Sequence, residues 1–276
     1  MSSIETNQVD EAPELSPDQV GAVDRIAQRM GRARRLLFIT GAGMSADSGL
    51  PTYRGRDGLY REHETTRHGL PIERALSGPM LRSRPEITWH YLLELERSTR
   101  GAAPHRGHKV LAEMDGYFDA VWVLTQNVDG LHQQAGSRNV IDIHGNLHEL
   151  LCTGCGRGEV VRDYAGLELP PCCPDCRGPI RPGVVLFDED LPPEKLGRLW
   201  AELGRGFDVI FSIGTTSVFE YIAEPVRVGR RAGSLTVEIN PEVTRVSDAV
   251  DIRIPGRAAV VLDALWERYL TWWPWT

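Results

Sequence analysis

Four cysteines, Cys152, Cys155, Cys173 and Cys176, form two Cys-x-x-Cys pairs in a stretch rich in Gly and Pro. Thiolates in this pattern suit a tetrahedral zinc ion that closes a small ribbon. With four sulfur ligands and no open position, that metal is structural, one per chain. The fifth cysteine, Cys172, reads as a bystander, although its spacing to Cys176 also lets it stand in for Cys173. A second candidate is the run Gly41-Ala42-Gly43-Met44-Ser45, which follows an apolar segment. Glycines there let a backbone approach a pyrophosphate, and a helix N-terminus favours its charge. A plain tight turn would use the same residues, but the continuation Leu50-Pro51-Thr52-Tyr53-Arg54-Gly55 is too polar and irregular to be the next turn of a helix. The third candidate is Gln126-Asn127-Val128-Asp129-Gly130-Leu131-His132, followed by Asp142-Ile143-His144-Gly145. An amide, a carboxylate and nearby imidazoles offer partners for an amide-bearing ligand and a general base near neutral pH. Asp129 also suits a helix cap, and His132 and His148 read as ordinary surface histidines. His144, before a glycine at an expected strand end, is the best base candidate.

The elements that must position these residues follow from hydrophobic pattern. Ser16-Pro17-Asp18-Gln19 starts a helix expected to run to about Arg32. Arg35 to Thr40, Ala120 to Thr125, Asp208 to Ile213 and Leu235 to Ile239 are short apolar runs, each ending in a polar or glycine loop. Buried strands that end this way describe a parallel sheet with ligand loops at its carboxyl ends, a doubly wound α/β fold. Residues 57–104, charged and helical (Glu86 to Arg97 most clearly), and residues 149–182, which hold all five cysteines, interrupt the rhythm and are expected to form a smaller inserted domain. The larger domain then comprises 16–56, 105–148 and 183–276, with 1–15 a disordered tail.

The chain has 276 residues, 41% hydrophobic and 25% charged, which is enough for a buried core. A net charge of −7 argues against electrostatic binding to nucleic acid. Neither an export signal nor a membrane span is read from the sequence, so a cytoplasmic protein with reduced thiols is expected. The terminal Trp272-Trp273-Pro274-Trp275 either docks on the body or marks an interface.

The sequences GAGMSADSGLPTYRG, TQNVDGLH, IDIHG, the paired CxxC motifs, RPGVVLFDEDLP, the GTTS turn and VEIN occur here in series. In that order they resemble the sirtuins, NAD-dependent protein deacylases of the silent-information-regulator type, over about residues 25–265. The resemblance implies a Rossmann-like NAD domain, a small domain of zinc ribbon and helical insert, and an acyl-lysine cleft between them. It implies that Gly41, Ala42, Gly43, Gly214, Thr215, Thr216 and Asn240 line phosphates and ribose, with Ser45 in the same loop and Ala258 near the adenine. Tyr53 and Arg54 match a Phe-Arg pair covering the nicotinamide and ribose. Asp129 and the Val128 backbone hold the carboxamide, and Gln126 and Asn127 contact the reacting ribose. Val185, Phe187, Asp188 and Glu189 fall in the segment that pairs with substrate backbone. In the implied mechanism the acyl oxygen of a modified lysine attacks the ribose carbon and nicotinamide leaves. His144 then serves as general base on the ribose hydroxyls, giving free lysine and O-acyl-ADP-ribose.

Three departures stand out. Asp188 replaces a usual glycine, which is expected to favour basic residues flanking the substrate lysine. Tyr53 replaces phenylalanine. Enzymes of the family that take acidic acyl groups carry a tyrosine with an arginine three residues later; here Tyr91 is followed by Glu94, and aligning on Trp89 gives Leu92 and Leu95. Neutral acyl groups are therefore expected. Mono-ADP-ribosyl transfer or NAD hydrolysis would use the same cleft, and a non-enzymatic module would be expected to have lost His144, Asn127 or Asp129, all of which are present.

Overall fold

A computed structural model describes residues 15–52 and 65–274. Tyr53, Arg54, Trp275 and nearly all of the expected disordered tail lie outside the described residues. The strands are β1 (Arg35–Thr40), β2 (Ala120–Thr125), β3 (Asn139–Asp142), β4 (Gly145–Cys152), β5 (Gly158–Val160), β6 (Ile180–Val184), β7 (Val209–Ile213), β8 (Leu235–Ile239) and β9 (Ile252–Ile254). The helices are α1 (Pro17–Met30), α2 (Ala42–Ser45), α3 (Ile72–Ala75), α4 (Gly78–Ser83), α5 (Pro85–Thr99), α6 (Arg106–Glu113), α7 (Leu131–Gln134), α8 (Pro193–Gly204), α9 (Glu220–Arg231) and α10 (Ala258–Trp272).

Six strands pair in parallel in the order β3-β2-β1-β7-β8-β9. This is the Rossmann order, with its topological switch between β1 and β7. β1 and β7 are apolar almost throughout because both faces are covered. Phe38 and Phe211, paired in register, stack at 4.7 Å on the face covered by α1, α6 and α10. Leu37, Ile39 and Ile210 point the other way, under α8 and α9. Side chains alternate across a strand, so each strand feeds both cores.

The second sheet is antiparallel, β5-β4-β6, with a register shift between Asn146 and Leu150. A third core joins it to α3 and α5 through Ile72, Ile87, Trp89, Leu147, Tyr164 and Leu186. The sheet reaches from Gly145 to Val184, wider than the 149–182 expected for the insert. Its first residue has φ +84°, and a methyl group there would lie 1.8 Å from the Gly183 carbonyl oxygen, so only glycine fits.

Helix α1 begins with the expected capping box, Ser16 and Gln19 bonding each other's backbone N–H. It stops at Met30, short of Arg32, with Gly31 as its cap. The Trp273 ring lies where a Gly31 side chain would stand, 2.0 Å from an added methyl. Trp273 thus docks on the body beside Gly31. His132, expected at the surface, is instead buried in the core behind the first loop, with Nε2 3.0 Å from Thr40 Oγ1. Among the described residues no helix is long and apolar enough to cross a membrane.

Candidate active site

At the carboxyl end of the sheet the loops after β1 and β7 meet at the switch point, where ligands bind in such folds. Gly43 N–H donates to the Gly214 carbonyl at 2.8 Å. A methyl on Gly43 would stand 2.7 Å from Gly214 Cα, and one on Gly41 2.7 Å from Thr215 Cβ. Gly214 has φ +57°, and a methyl there would meet the Gly43 carbonyl carbon at 2.4 Å. The two loops are therefore a backbone-walled cradle that side chains would fill.

Thr215 ties the cradle to its neighbours. Its hydroxyl receives Gln126 Nε2–H at 2.7 Å and its carbonyl receives Asn240 Nδ2–H at 3.1 Å. Thr216 beside it is exposed. Ala258 is buried at the start of α10, where Asp47 accepts the Ala259 N–H at 2.8 Å and binds Arg257.

A second network lies beside β2. Asn127 Nδ2 donates to the Gly41 carbonyl and to Ser45 Oγ, both at 3.0 Å. Ser45 Oγ–H donates onward to Asp129 Oδ2 at 2.7 Å, and Leu131 N–H donates to Asp129 Oδ1 at 3.0 Å. Asp129 is thus both a turn-capping carboxylate and a member of the cluster. Burial pushes its carboxyl above the ordinary range against those hydrogen bonds. The Val128 carbonyl is held by Leu147 N–H at 2.9 Å.

His144 sits in the turn between β3 and β4. Nδ1 faces the Gln126 carbonyl at 3.1 Å and Nε2 the Tyr221 hydroxyl at 2.6 Å. Burial holds the imidazole below its ordinary pKa, the Gln126 carbonyl opposing. Val185 N–H bonds the His144 carbonyl at 2.8 Å, so His144 and the expected substrate segment share one ladder. Farther along, Phe187 exchanges bonds with Leu76 and Gly78 of the helical insert. Phe187 and Asp188 border an open cavity of about 460 Å³ that Glu73, Arg74 and Met80 also line. Asp188 is exposed and has φ +60°, in the left-handed region that favours glycine. The Glu189 carboxylate is engaged on both oxygens by Arg181, at 2.6 and 2.8 Å, and receives Leu186 N–H. Burial alone would raise its carboxyl, but these donors hold it below the ordinary value. Glu189 therefore shapes the loop from within.

Two residues at this site carry no signal in the sequence. One is Tyr221; the other is His105, whose Nε2–H donates to the Met44 carbonyl at 2.5 Å while Nδ1 accepts Gly107 N–H, bracing the first loop from behind.

The sulfurs of Cys152, Cys155, Cys173 and Cys176 lie within 4.8 Å of one another. Cys152 to Cys176 is 3.5 Å and Cys155 to Cys173 3.8 Å. Tetrahedral zinc with bonds of about 2.3 Å requires sulfurs roughly 3.8 Å apart. The cluster fits zinc, and Gly154 and Gly178 N–H groups point at two of the sulfurs. Cys172 is exposed and outside the cluster, which makes Cys173 the ligand.

The model of the Sir2 family matches residues 41–220. An NAD-dependent protein deacylase 2 of Pseudomonas aeruginosa is 48% identical over 248 residues, covering 89% of this chain and 96% of that protein. An NAD-dependent protein deacylase of Aquifex aeolicus is 37% identical, covering 85% and 96%. Among solved structures, a Sir2 homolog–NAD complex aligns with a TM-score of 0.81 at 32% identity, covering 95% of this chain and 97% of that one. A Sir2–p53 peptide–NAD+ complex aligns at 0.75 and 27% identity, covering 88% and 96%. Identity of this extent over nearly the whole chain, on the same fold, makes the chain a member of the Sir2 family.

Proposed function

We propose that this chain is an NAD-dependent protein-lysine deacylase acting on neutral acyl groups, acetyl first among them. The observation that carries the reading is His144: a half-buried imidazole, held by the Gln126 carbonyl, on the strand ladder that continues into the proposed substrate segment. Bound NAD supplies a cleavable bond to nicotinamide and a ribose that accepts the acyl group. The cradle at Gly41, Ala42, Gly43 and Gly214 would suit a pyrophosphate because its glycines leave backbone without side chains at the switch point of the sheet. Thr215, Thr216 and Asn240 would continue along the ribose, and Ala258 would border the adenine.

The network of Asn127, Ser45 and Asp129 suits the carboxamide and reacting ribose, with Gln126 and the Val128 backbone beside it. Asp129 offers an acceptor to an amide N–H, and its partners fix both oxygens in place. With Nδ1 facing a carbonyl, His144 carries its proton there and presents Nε2 as the base. Tyr53 and Arg54, outside the described residues, would cover the nicotinamide as the resemblance implies. The substrate peptide would lie along Val185 and Phe187, Asp188 facing its flanking residues.

Tyr91 supports the acyl preference. Its ring is buried and its hydroxyl bonds His68 Nδ1 at 2.8 Å, and Glu94 beyond it pairs with His90. No arginine stands at that spacing to receive an acidic acyl chain. The first two cores and their sheet would form the NAD-binding domain and the third core the small domain. Mass spectrometry of the protein with NAD and an acetyl-lysine peptide tests the function. The expected result is deacetylated peptide and O-acetyl-ADP-ribose from the wild type and loss of both in His144→Ala. NAD consumption without peptide turnover, or ADP-ribose on protein, would establish hydrolysis or transfer instead.

A further inference from the structure

One side chain touches the base and has no role in the account above. Tyr221 lies at the start of α9 with its hydroxyl 2.6 Å from His144 Nε2. A carbonyl can only accept, so the contact with Gln126 places the imidazole proton on Nδ1 and leaves the lone pair on Nε2. The phenol therefore donates to Nε2. That lone pair is the basic site of a neutral imidazole, so a hydroxyl that His144 deprotonates must evict the phenol or pass its proton through it. Packing opposes eviction. The Tyr221 ring stacks on Phe219 at 5.4 Å and 15°, both rings meet the imidazole edge-on, and Tyr221 packs against the core under α8 and α9. Burial pushes the phenol up to about 12, so it stays protonated at neutral pH and can donate and accept at once.

We propose that Tyr221 is a proton relay between the ribose hydroxyl and His144, the two side chains working as one acid–base unit. This rests on the deacylase reading. The ribose O–H proton moves to Tyr221 Oη as the phenolic proton moves to His144 Nε2. The ribose oxygen uses the freed electron pair to bond the acyl carbon as that carbon's π bond to the lysine nitrogen breaks and its pair settles on the nitrogen; His144 becomes imidazolium, and Tyr221 is left neutral with a new proton.

Tyr221→Phe keeps the ring stack and removes only the hydroxyl. In the NAD-free protein, nitrogen NMR of His144 is expected to show the Nε2 resonance moving to that of a bare ring nitrogen, with Nδ1 unmoved. With NAD and an acetyl-lysine peptide, deacylation is expected to fall about tenfold to hundredfold relative to exchange of labelled nicotinamide. Exchange reports the glycosidic cleavage that precedes use of the base. The double variant with His144→Ala is expected to be no slower than His144→Ala alone, since residues acting as a unit are not additive. An unmoved Nε2 resonance, deacylation and exchange changing in parallel, or additive losses would each overturn the relay. A wild-type protein that neither deacylates nor exchanges overturns the deacylase reading and the relay with it, whereas failure of the relay alone leaves wild-type deacylation intact.

Discussion

Burial raises the Asp129 carboxyl even though Leu131 N–H and Ser45 Oγ–H favour its charged form. A folded value above the unfolded one means that folding favours the protonated carboxyl. The contribution to stability is greatest at low pH and is lost as pH rises through the folded pKa, so at pH 7 the charge works against folding. Asp129→Asn is therefore expected to hold or raise the melting temperature at pH 7. The same change removes an ionised acceptor worth about 1.5–3 kcal/mol to a hydrogen-bonded ligand, so KM for NAD should rise about tenfold or more. Thermal melts beside NAD titrations check this, and a fall in melting temperature would make the role structural. Asp129, Asn127 and His144 were legible in the sequence because each sits in a short loop directly after a strand, where a polar residue has no core to fill. Tyr221 and His105 were not. Each reaches the site from another element, and only the tertiary fold brings Tyr221 of α9 against the turn after β3, or His105 against Met44.

Helices α6 and α7 bury an imidazole pair behind the first loop. His108 and His132 lie 4.8 Å apart, and neither His108 nitrogen has a hydrogen-bond partner among the described residues. Burial, reinforced by the neighbouring imidazoles, pushes His108 down to about 2 and His132 to about 3. With folded values below the unfolded value of about 6.5, stability is full above that pH and declines as pH falls toward 3, because the unfolded chain binds protons that the folded one refuses. Each histidine contributes a slope of about 1.4 kcal/mol per pH unit. His108→Leu should remove about that much from the pH dependence of urea stability between pH 6.5 and 4; an unchanged slope would refute the burial argument. Legibility at this scale followed burial on two faces. β1, β2, β7 and β8 announced themselves as apolar runs, while β3 and β9, short edge strands of the main sheet, carry too few residues to stand out. His132 was misplaced for a related reason, since one imidazole after a polar loop gives no sign of the pocket between two helices.

At the scale of the whole molecule, one antiparallel sheet joins the four-cysteine cluster to His144. Trp89 of α5 meets Tyr164 edge-on at 5.6 Å, and the Tyr164 hydroxyl donates to the Leu147 carbonyl of β4 at 2.6 Å. The helical insert thus leans on the cysteine ribbon, a sheet with little core of its own, since every residue of β5 is exposed. Small ribbons of this kind fold on binding zinc. β4 and β6 run from the cysteine cluster back to Gly145 and Val184, whose neighbours are His144 and Val185. The large sheet needs none of these contacts, because β1 and β7 are enclosed by helices outside the small domain. Removing zinc with a chelator, or Cys173→Ser, should therefore split thermal unfolding into an early transition of the small domain and a later one of the sheet. Deacylation should fall by far more than affinity for ADP-ribose, which the cradle after β1 and β7 would still hold. Calorimetry with metal analysis, expected to give one zinc per chain before treatment, checks the first part, and calorimetric titration of ADP-ribose checks the second. A single transition with both properties lost would mean that the two sheets fold as one unit and that the ribbon supports the whole chain.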